Sequence, residues 1–184
     1  MFETDRLILR GFRESDVEVL LKLFNDPATQ RYLWPDYLSP RGEKFVKDVL
    51  KPGMEKATLY VIITSKDKDG EAMGYAALTV NTPKNRDGHL EIGLLPEWQG
   101  KGYGTEALRF VVDHGFREFQ LHRASLGVLE GNVAARAMYT KLGFREEGRK
   151  RQKNWVNGHW EDAIMMGMID HEWAEWDQLR QQGN

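Results

Sequence analysis

The seven residues Gln99-Gly100-Lys101-Gly102-Tyr103-Gly104-Thr105 constrain this chain more than any other stretch. An apolar run with strand character, His89 to Leu95, precedes them, and a run with helical spacing, Glu106 to Phe119, follows. Glycines at 100, 102 and 104 let the backbone enter the left-handed region and leave no Cβ to obstruct a ligand. Successive N–H groups can then face one concavity, with a helix N-terminus behind them. Such an arrangement holds a phosphate or a pyrophosphate. The alternative, a plain strand-to-helix turn, does not call for three glycines in five residues.

The elements around this loop follow from periodicity and punctuation. Leu7-Ile8-Leu9 reads as a first strand, and Ser15-Asp16 caps a helix carrying Val17, Leu20, Leu21 and Phe24. Asp26-Pro27 is expected to end it. A second helix is predicted from about Pro40 to Leu50, stopping before Pro52-Gly53. Two β-branched runs, Leu59 to Thr64 and Met73 to Val80, flank an Asp69-Gly70 turn signal, and residues 81–88 read as a loop. The helix after the glycines puts Leu108, Val111, Val112, Gly115, Phe116 and Phe119 on one face. A strand from Arg123 to Leu129 and a helix from Asn132 to Leu142, stopped by Gly143, come next. Strands then run from Phe144 and from His159 to Ile169 around an Asn157-Gly158 turn, and a tail helix starts at Asp170. With no repeat or linker in view, residues 1–184 are expected to form one domain, 170–184 being its C-terminal tail helix. The order of elements predicts a mixed sheet with helices on both faces.

Composition removes several function classes. A net charge of -2 is too close to neutral to imply a nucleic-acid partner. The chain has no cysteine, which excludes disulfides, zinc–thiolate sites and a cysteine nucleophile. The five histidines, at 89, 114, 122, 159 and 171, lack metal-ligand spacing, so no metal is expected. Met1 to Arg6 is charged and does not read as a signal peptide, and no run approaches the ~18 apolar residues of a membrane span. A cytoplasmic protein without membrane contact is the expectation. The basic run Arg149-Lys150-Arg151-Gln152-Lys153 reads as a solvated hairpin.

Two phosphate ligands need weighing. Gly102-Tyr103-Gly104-Thr105-Glu106-Ala107 fits the dinucleotide pattern G-x-G-x-x-A, with Glu130 as a ribose-binding carboxylate, which would suit an NAD-type Rossmann enzyme. Rossmann glycines follow their strand at once, however, and here Pro96 to Gly100 intervene. No P-loop is present.

Gln99-Gly100-Lys101-Gly102-Tyr103-Gly104 instead resembles the Q/R-x-x-G-x-G/A loop of the GNAT superfamily of acetyl-CoA-dependent N-acetyltransferases. Asn132 to Phe144 is similar to the N-x-x-A-x-x-x-Y-x-K-x-G-F segment of that family, through Asn132, Ala135, Tyr139, Lys141, Gly143 and Phe144. Thr4-Asp5-Arg6-Leu7-Ile8-Leu9-Arg10, with Asp16, resembles the RimJ/RimL-type branch, as do Glu147-Gly148, Arg151, Gly158, Asp162 and Met166. The resemblance implies an α/β (α+β) fold of GNAT type, a mixed and mostly antiparallel sheet with helices on both faces. It implies acetyl-CoA as co-substrate and an amine as acceptor: a protein N-terminus, an amino acid, a polyamine or another small amine. Homodimers are common among such proteins, though no residue here demands one.

Direct transfer has three needs: an anchored pyrophosphate, a deprotonated amine and a proton for the departing thiolate. Anchoring falls to Gln99, Gly100, Lys101, Gly102, Tyr103, Gly104 and Thr105. The resemblance gives Leu94 and Leu95 backbone hydrogen bonds to pantetheine, and Asn132 and Ala135 places along the same arm. It makes Tyr139, seven residues after Asn132 and on the same helix face, the general acid. For the base, Glu91 and His89 lie two apart on one strand. Glu91 is the first candidate, because enclosure raises a carboxylate toward neutrality; His89 is the second, because histidine titrates near neutrality. Trp34, Tyr37, Trp155 and Trp160 flank the acceptor pocket in the family, or else pack the hairpin. A CoA-binding module without catalysis is the alternative from another class, and retention of Tyr139 and a strand carboxylate argues for the enzyme.

Overall fold

The computed structural model describes residues 1–33, 36–67 and 70–182. The chain opens with two short strands, β1 (Phe2–Glu3) and β2 (Leu7–Arg10). Leu7 and Leu9 are buried, and Ile8 and Arg10, alternating with them, are half-buried, the period of a strand with one covered face. Helix α1 (Val17–Asn25) buries Leu20, Leu23 and Phe24 at helical spacing. Asp26-Pro27 ends α1 as expected, Asp26 standing in extended conformation after Asn25, and Pro27 then starts a new helix, α2 (Pro27–Leu33). Proline at a first helical position loses no bond, and Asp26 caps the turn by accepting the Thr29 N–H at 2.8 Å.

The predicted second helix begins later and runs further, as α3 (Glu43–Phe45), a wide turn at Val46–Leu50 and α4 (Lys51–Lys56). The wide turn shifts the hydrogen-bond ladder, so Pro52 falls at the start of α4, where a missing N–H costs little. Strands β3 (Leu59–Ser65) and β4 (Ala72–Thr79) form an antiparallel pair. Asp69 of the predicted turn between them lies outside the described residues. Strand β5 (Asp87–Leu94) starts inside the predicted loop, which a tight turn at Pro83–Asn85 shortens. Helix α5 (Tyr103–Glu118) begins at Tyr103 rather than at Glu106. Then come β6 (Arg123–Leu129), α6 (Val133–Lys141), β7 (Arg145–Val156), β8 (His159–Ile169) and α7 (Asp170–Gln182).

The strand order is β1-β2-β3-β4-β5-β6-β8-β7. Every recorded register is antiparallel except that of β5 with β6, where Asp87–His89 faces Arg123–Ser125. One parallel pair in an otherwise antiparallel sheet is not the repeated strand–helix–strand of a dinucleotide fold, so the Rossmann reading falls.

The chain divides into two compact units, Met1–Thr79 with Glu91–Val111, and Val80–Leu90 with Val112–Asn184. The first has its core in Leu7, Leu9, Leu20, Leu23, Ile62, Ile63 and Leu78, and carries the glycine loop. The second has its core in Leu126, Leu142, Ile164 and Met168, and carries α6. Each such side chain contributes about 1.5–3 kcal/mol on burial. In this unit Trp173 of α7 stacks on Phe116 at 5.2 Å and donates through Nε1 to Asp113 at 2.8 Å, which docks the tail helix. Strand β7 is an edge strand, exposed from Arg145 to Lys153 and charged along that length, with two breaks of register. Charge and irregularity keep such an edge from pairing further.

Candidate active site

In the first unit, β5 ends at Leu94 and a tight turn, Pro96–Trp98, carries the chain to the glycines. The Gln99 side chain folds back to donate to the Leu94 carbonyl at 2.7 Å. The Leu95 N–H donates to Met73, and its carbonyl accepts from the Trp98 N–H, each at 2.9 Å. The strand end expected to face pantetheine is therefore held from within, and these backbone groups already have partners.

Gly100 and Gly102 have φ of 71° and 84°. A Cβ on Gly100 would meet open space, so conformation rather than crowding requires glycine there. Because α5 starts at Tyr103, the residues Tyr103, Gly104 and Thr105 form its first turn, where N–H groups lack intrahelical partners. The Lys101 ammonium donates to the Glu97 carbonyl at 2.7 Å and lies 5.7 Å from the Trp98 ring, so it braces the turn.

A clamp supports this loop that sequence reasoning missed. Arg6 sits over Tyr103, 4.5 Å from the ring centroid, and donates to the Lys101 carbonyl at 3.1 Å and to Glu106 at 2.7 Å. Thr4 Oγ1 donates to the same carboxylate at 2.6 Å. Burial alone would raise the Glu106 carboxyl. The hydrogen bonds from Thr4 and Arg6 outweigh it and hold the group below the usual carboxylate range. The signal was the Thr4-Asp5-Arg6 opening, which carries no chemistry until a partner a hundred residues away is known.

Glu91, also in this unit, is exposed. Among the described residues nothing encloses its carboxylate. His89, in the second unit, is half-buried and stands opposite Ser125 of β6.

The remaining predicted residues belong to the second unit. Asn132 caps α6, its Oδ1 accepting the Ala135 N–H at 3.2 Å. Gly143, with φ 93°, ends the helix. Tyr139 is 8% exposed and meets Phe144 edge-on at 6.2 Å. Burial pushes its hydroxyl up to about 12, so at neutral pH it holds its proton and can serve as an acid. Among the described residues no protein group binds that hydroxyl.

Glu161 is a second residue missed in the sequence. It is 9% exposed, accepts the Gly131 N–H at 3.0 Å and pairs with His159 Nε2 at 3.2 Å, and so fixes the turn before Asn132. A groove of about 820 Å³ runs beside α6, lined by Val133, Arg136, Lys141, Phe144, Arg145 and Met166 among others. Of the predicted aromatics, Trp155 and Trp160 are exposed and meet edge-to-face at 5.3 Å. Tyr37 is exposed, and Trp34 lies outside the described residues. Among the described residues no cluster of His, Asp or Glu could hold a metal ion, and no helix is long and apolar enough to cross a membrane.

Comparison with known proteins gives these arrangements a context. A family model described as an acetyltransferase (GNAT) domain matches residues 6–145. The spermidine N(1)-acetyltransferase of Escherichia coli K12 is 28% identical over 171 residues, covering 90% of this chain and 87% of that one. The putative ribosomal N-acetyltransferase YdaF of Bacillus subtilis is 31% identical over 121 residues, 66% of this chain and 62% of that one. Among solved structures, the spermidine N-acetyltransferase from Vibrio cholerae in complex with CoA and spermine superposes with a TM-score of 0.78. It is 23% identical and covers 93% of this chain and 99% of its own, a likeness of fold.

Proposed function

The chain belongs to the acetyltransferase (GNAT) family and is an N-acetyltransferase using acetyl-CoA, and on that premise we propose how its residues divide the work. The reading rests on one observation: two glycines in the left-handed region open directly onto the free N–H groups of a sixteen-residue helix. Gln99 through Thr105 bind the pyrophosphate, mainly through backbone N–H groups, while Lys101 braces the turn. Leu94 and Leu95 form the strand end beside the pantetheine arm. In the second unit, Asn132 and Ala135 of α6 are the residues assigned to coenzyme binding.

Acetyl-CoA, when bound, supplies an acyl carbon activated as a thioester. Glu91, or His89 in its place, takes the proton of the attacking ammonium, directly or through water. Tyr139 gives its proton to the departing sulfur. No covalent acetyl-enzyme is needed, and the chain has no cysteine to form one.

The acceptor is an amine, and a polyamine is the class we favour. The E. coli relative acts on spermidine by its name, and a mildly acidic chain suits a cationic substrate. A ribosomal protein amine stays in the panel because of the Bacillus relative. The proposal includes a cytoplasmic, single-domain enzyme of the RimJ/RimL-like branch, and a homodimer as the assembly to test by light scattering.

The experiment is acetyl transfer from acetyl-CoA across a panel of spermidine, amino acids and peptide N-termini, with Gly102→Asp and Tyr139→Phe as controls. Gly102→Asp is expected to abolish coenzyme binding in a folded protein. Unchanged affinity would remove the loop from the site, and tight CoA binding without turnover of any amine would favour a binding module.

A further inference from the structure

Tyr60 carries a hydroxyl that the fold does not use. The oxygen is buried, and no hydrogen-bond partner for it exists among the described residues. Buried polar atoms are paired almost without exception, so an orphan calls for an explanation. Phenylalanine would fill the same space without the cost of burying a polar atom.

Register places this hydroxyl in a definite row. Tyr60 of β3 faces Ala77 of β4. Met73, near the start of β4, accepts the Leu95 N–H just past the end of the adjacent β5, so β4 and β5 run antiparallel. Counting inward from that bond sets Tyr75 opposite Gly93 and Ala77 opposite Glu91. Side chains agree with the count: Tyr75 Cε1 lies 3.1 Å from where a Gly93 Cβ would stand. Tyr60, Ala77 and Glu91 therefore form one row on one face of the sheet. The residue between the tyrosine and the carboxylate is an alanine, 4% exposed, whose side chain is a single methyl group.

The neighbourhood suits a cation. Tyr60 stacks nearly parallel on Tyr75, with 5.3 Å between centroids and 9° between planes, and Tyr75 stacks on Phe24 at 5.9 Å. Aromatic faces attract ammonium groups, and a carboxylate at the rim supplies the opposite charge. The nearby Asp16 is not available for this, since Arg10 holds both of its oxygens, at 2.8 and 2.7 Å. Burial, and then the Glu91 and Asp16 carboxylates, push the Tyr60 hydroxyl upward, so it stays neutral and keeps a lone pair to offer.

We propose that the Tyr60 hydroxyl and the Glu91 carboxylate together hold the cationic nitrogen of the acceptor amine, each accepting a hydrogen bond from it. Tyr60 is then a binding residue for the acceptor, and its hydroxyl acquires its partner from the substrate. The proposal rests on the acetyltransferase reading and names what its acceptor side recognises.

The test is Tyr60→Phe, assayed with acetyl-CoA and spermidine and followed by thermal unfolding. The KM for spermidine is expected to rise about tenfold, as for loss of one hydrogen bond to a charged group. The KM for acetyl-CoA stays within about twofold, and Tm does not fall, because no internal bond is lost. An unchanged spermidine KM overturns the proposal and leaves the acetyltransferase reading intact. A lowered Tm with both KM values raised also overturns it, since the hydroxyl would then serve the fold. Failure of the wild-type enzyme to acetylate any cationic amine overturns both readings.

Discussion

Arg6 and Glu106, a hundred residues apart, meet through two hydrogen bonds, one from the Arg6 N–H at 2.8 Å and one from its Nε at 2.7 Å. The same guanidinium reaches the Lys101 carbonyl, so a residue of the bend between β1 and β2 holds both the loop and the first turn of α5. A loop that binds an anion through its backbone must be shaped before the anion arrives, or ordering it consumes affinity.

Arg6→Ala should therefore raise the KM for acetyl-CoA about tenfold with little change in kcat. Acetyl-pantetheine, a donor without a pyrophosphate, should be used equally well by mutant and wild type. Equal losses with both donors would reduce Arg6 to a general support of the fold. The pair is partly exposed, so the loss of stability should be modest, about 1 kcal/mol.

Acid stability follows from the same carboxylate. The folded-state pKa of Glu106 lies below its unfolded value because Thr4 and Arg6 hydrogen bonds outweigh its burial. Asp16 behaves alike: bonds from Arg10 and the Arg13 N–H outweigh its burial. Stabilisation from both is complete above the unfolded carboxylate pKa of about 4 and is lost as pH falls through the lower folded values. Tm should be flat from neutrality to about pH 5 and drop below about pH 4, and Glu106→Gln should make that drop shallower. An acid limb with the same slope in the mutant would show that Glu106 binds its proton alike in both states.

The parts of this site legible in sequence are those in which the backbone itself demands a residue. Gly100, Gly102 and Gly143 all sit at positive φ, and Asn132 caps the helix it precedes. These are local requirements, visible within a few residues. Arg6 and Glu161 were not legible, because each acquires its meaning from a partner far away in the sequence. One proline misled for a related reason. Pro52 stops a helix by rule, yet the helical run from Glu43 to Lys56 passes through it because the wide turn before it shifts the ladder, and that shift cannot be read without the ladder itself. Glu91 shows the limit on the chemical side: its strand position was evident, but its exposure depends on what covers the strand.

Glu161 offers a test of how α6 is positioned. Its carboxylate takes the Gly131 N–H immediately before the capping Asn132. Glu161→Ala would leave that donor unpaired and should cost about 1–3 kcal/mol in denaturant unfolding. Glu161→Gln keeps an oxygen acceptor and should cost less. Gly131→Ala should resemble the alanine variant, because a Cβ there would stand 2.8 Å from Glu161 Oε2. Equal stability of all three with wild type would mean that water replaces the carboxylate at no cost.

Tyr139 gives the most direct test of the chemistry. A tyrosine acting as general acid must be protonated through the working pH range, and burial pushes this one up to about 12. Its own titration therefore lies beyond the accessible basic limb, and kcat should show no decline from it below about pH 10. Tyr139→Phe removes the proton without changing the packing on Phe144, so stability and CoA affinity should hold. kcat should fall about a hundredfold, by the same factor at every pH from about 6 to 10, because the group lost never titrates there. Steady-state rates of the two enzymes over that range, with CoA binding measured separately, decide the matter. A kcat within twofold of wild type would place the acid elsewhere, and a loss confined to KM would make Tyr139 a binding residue.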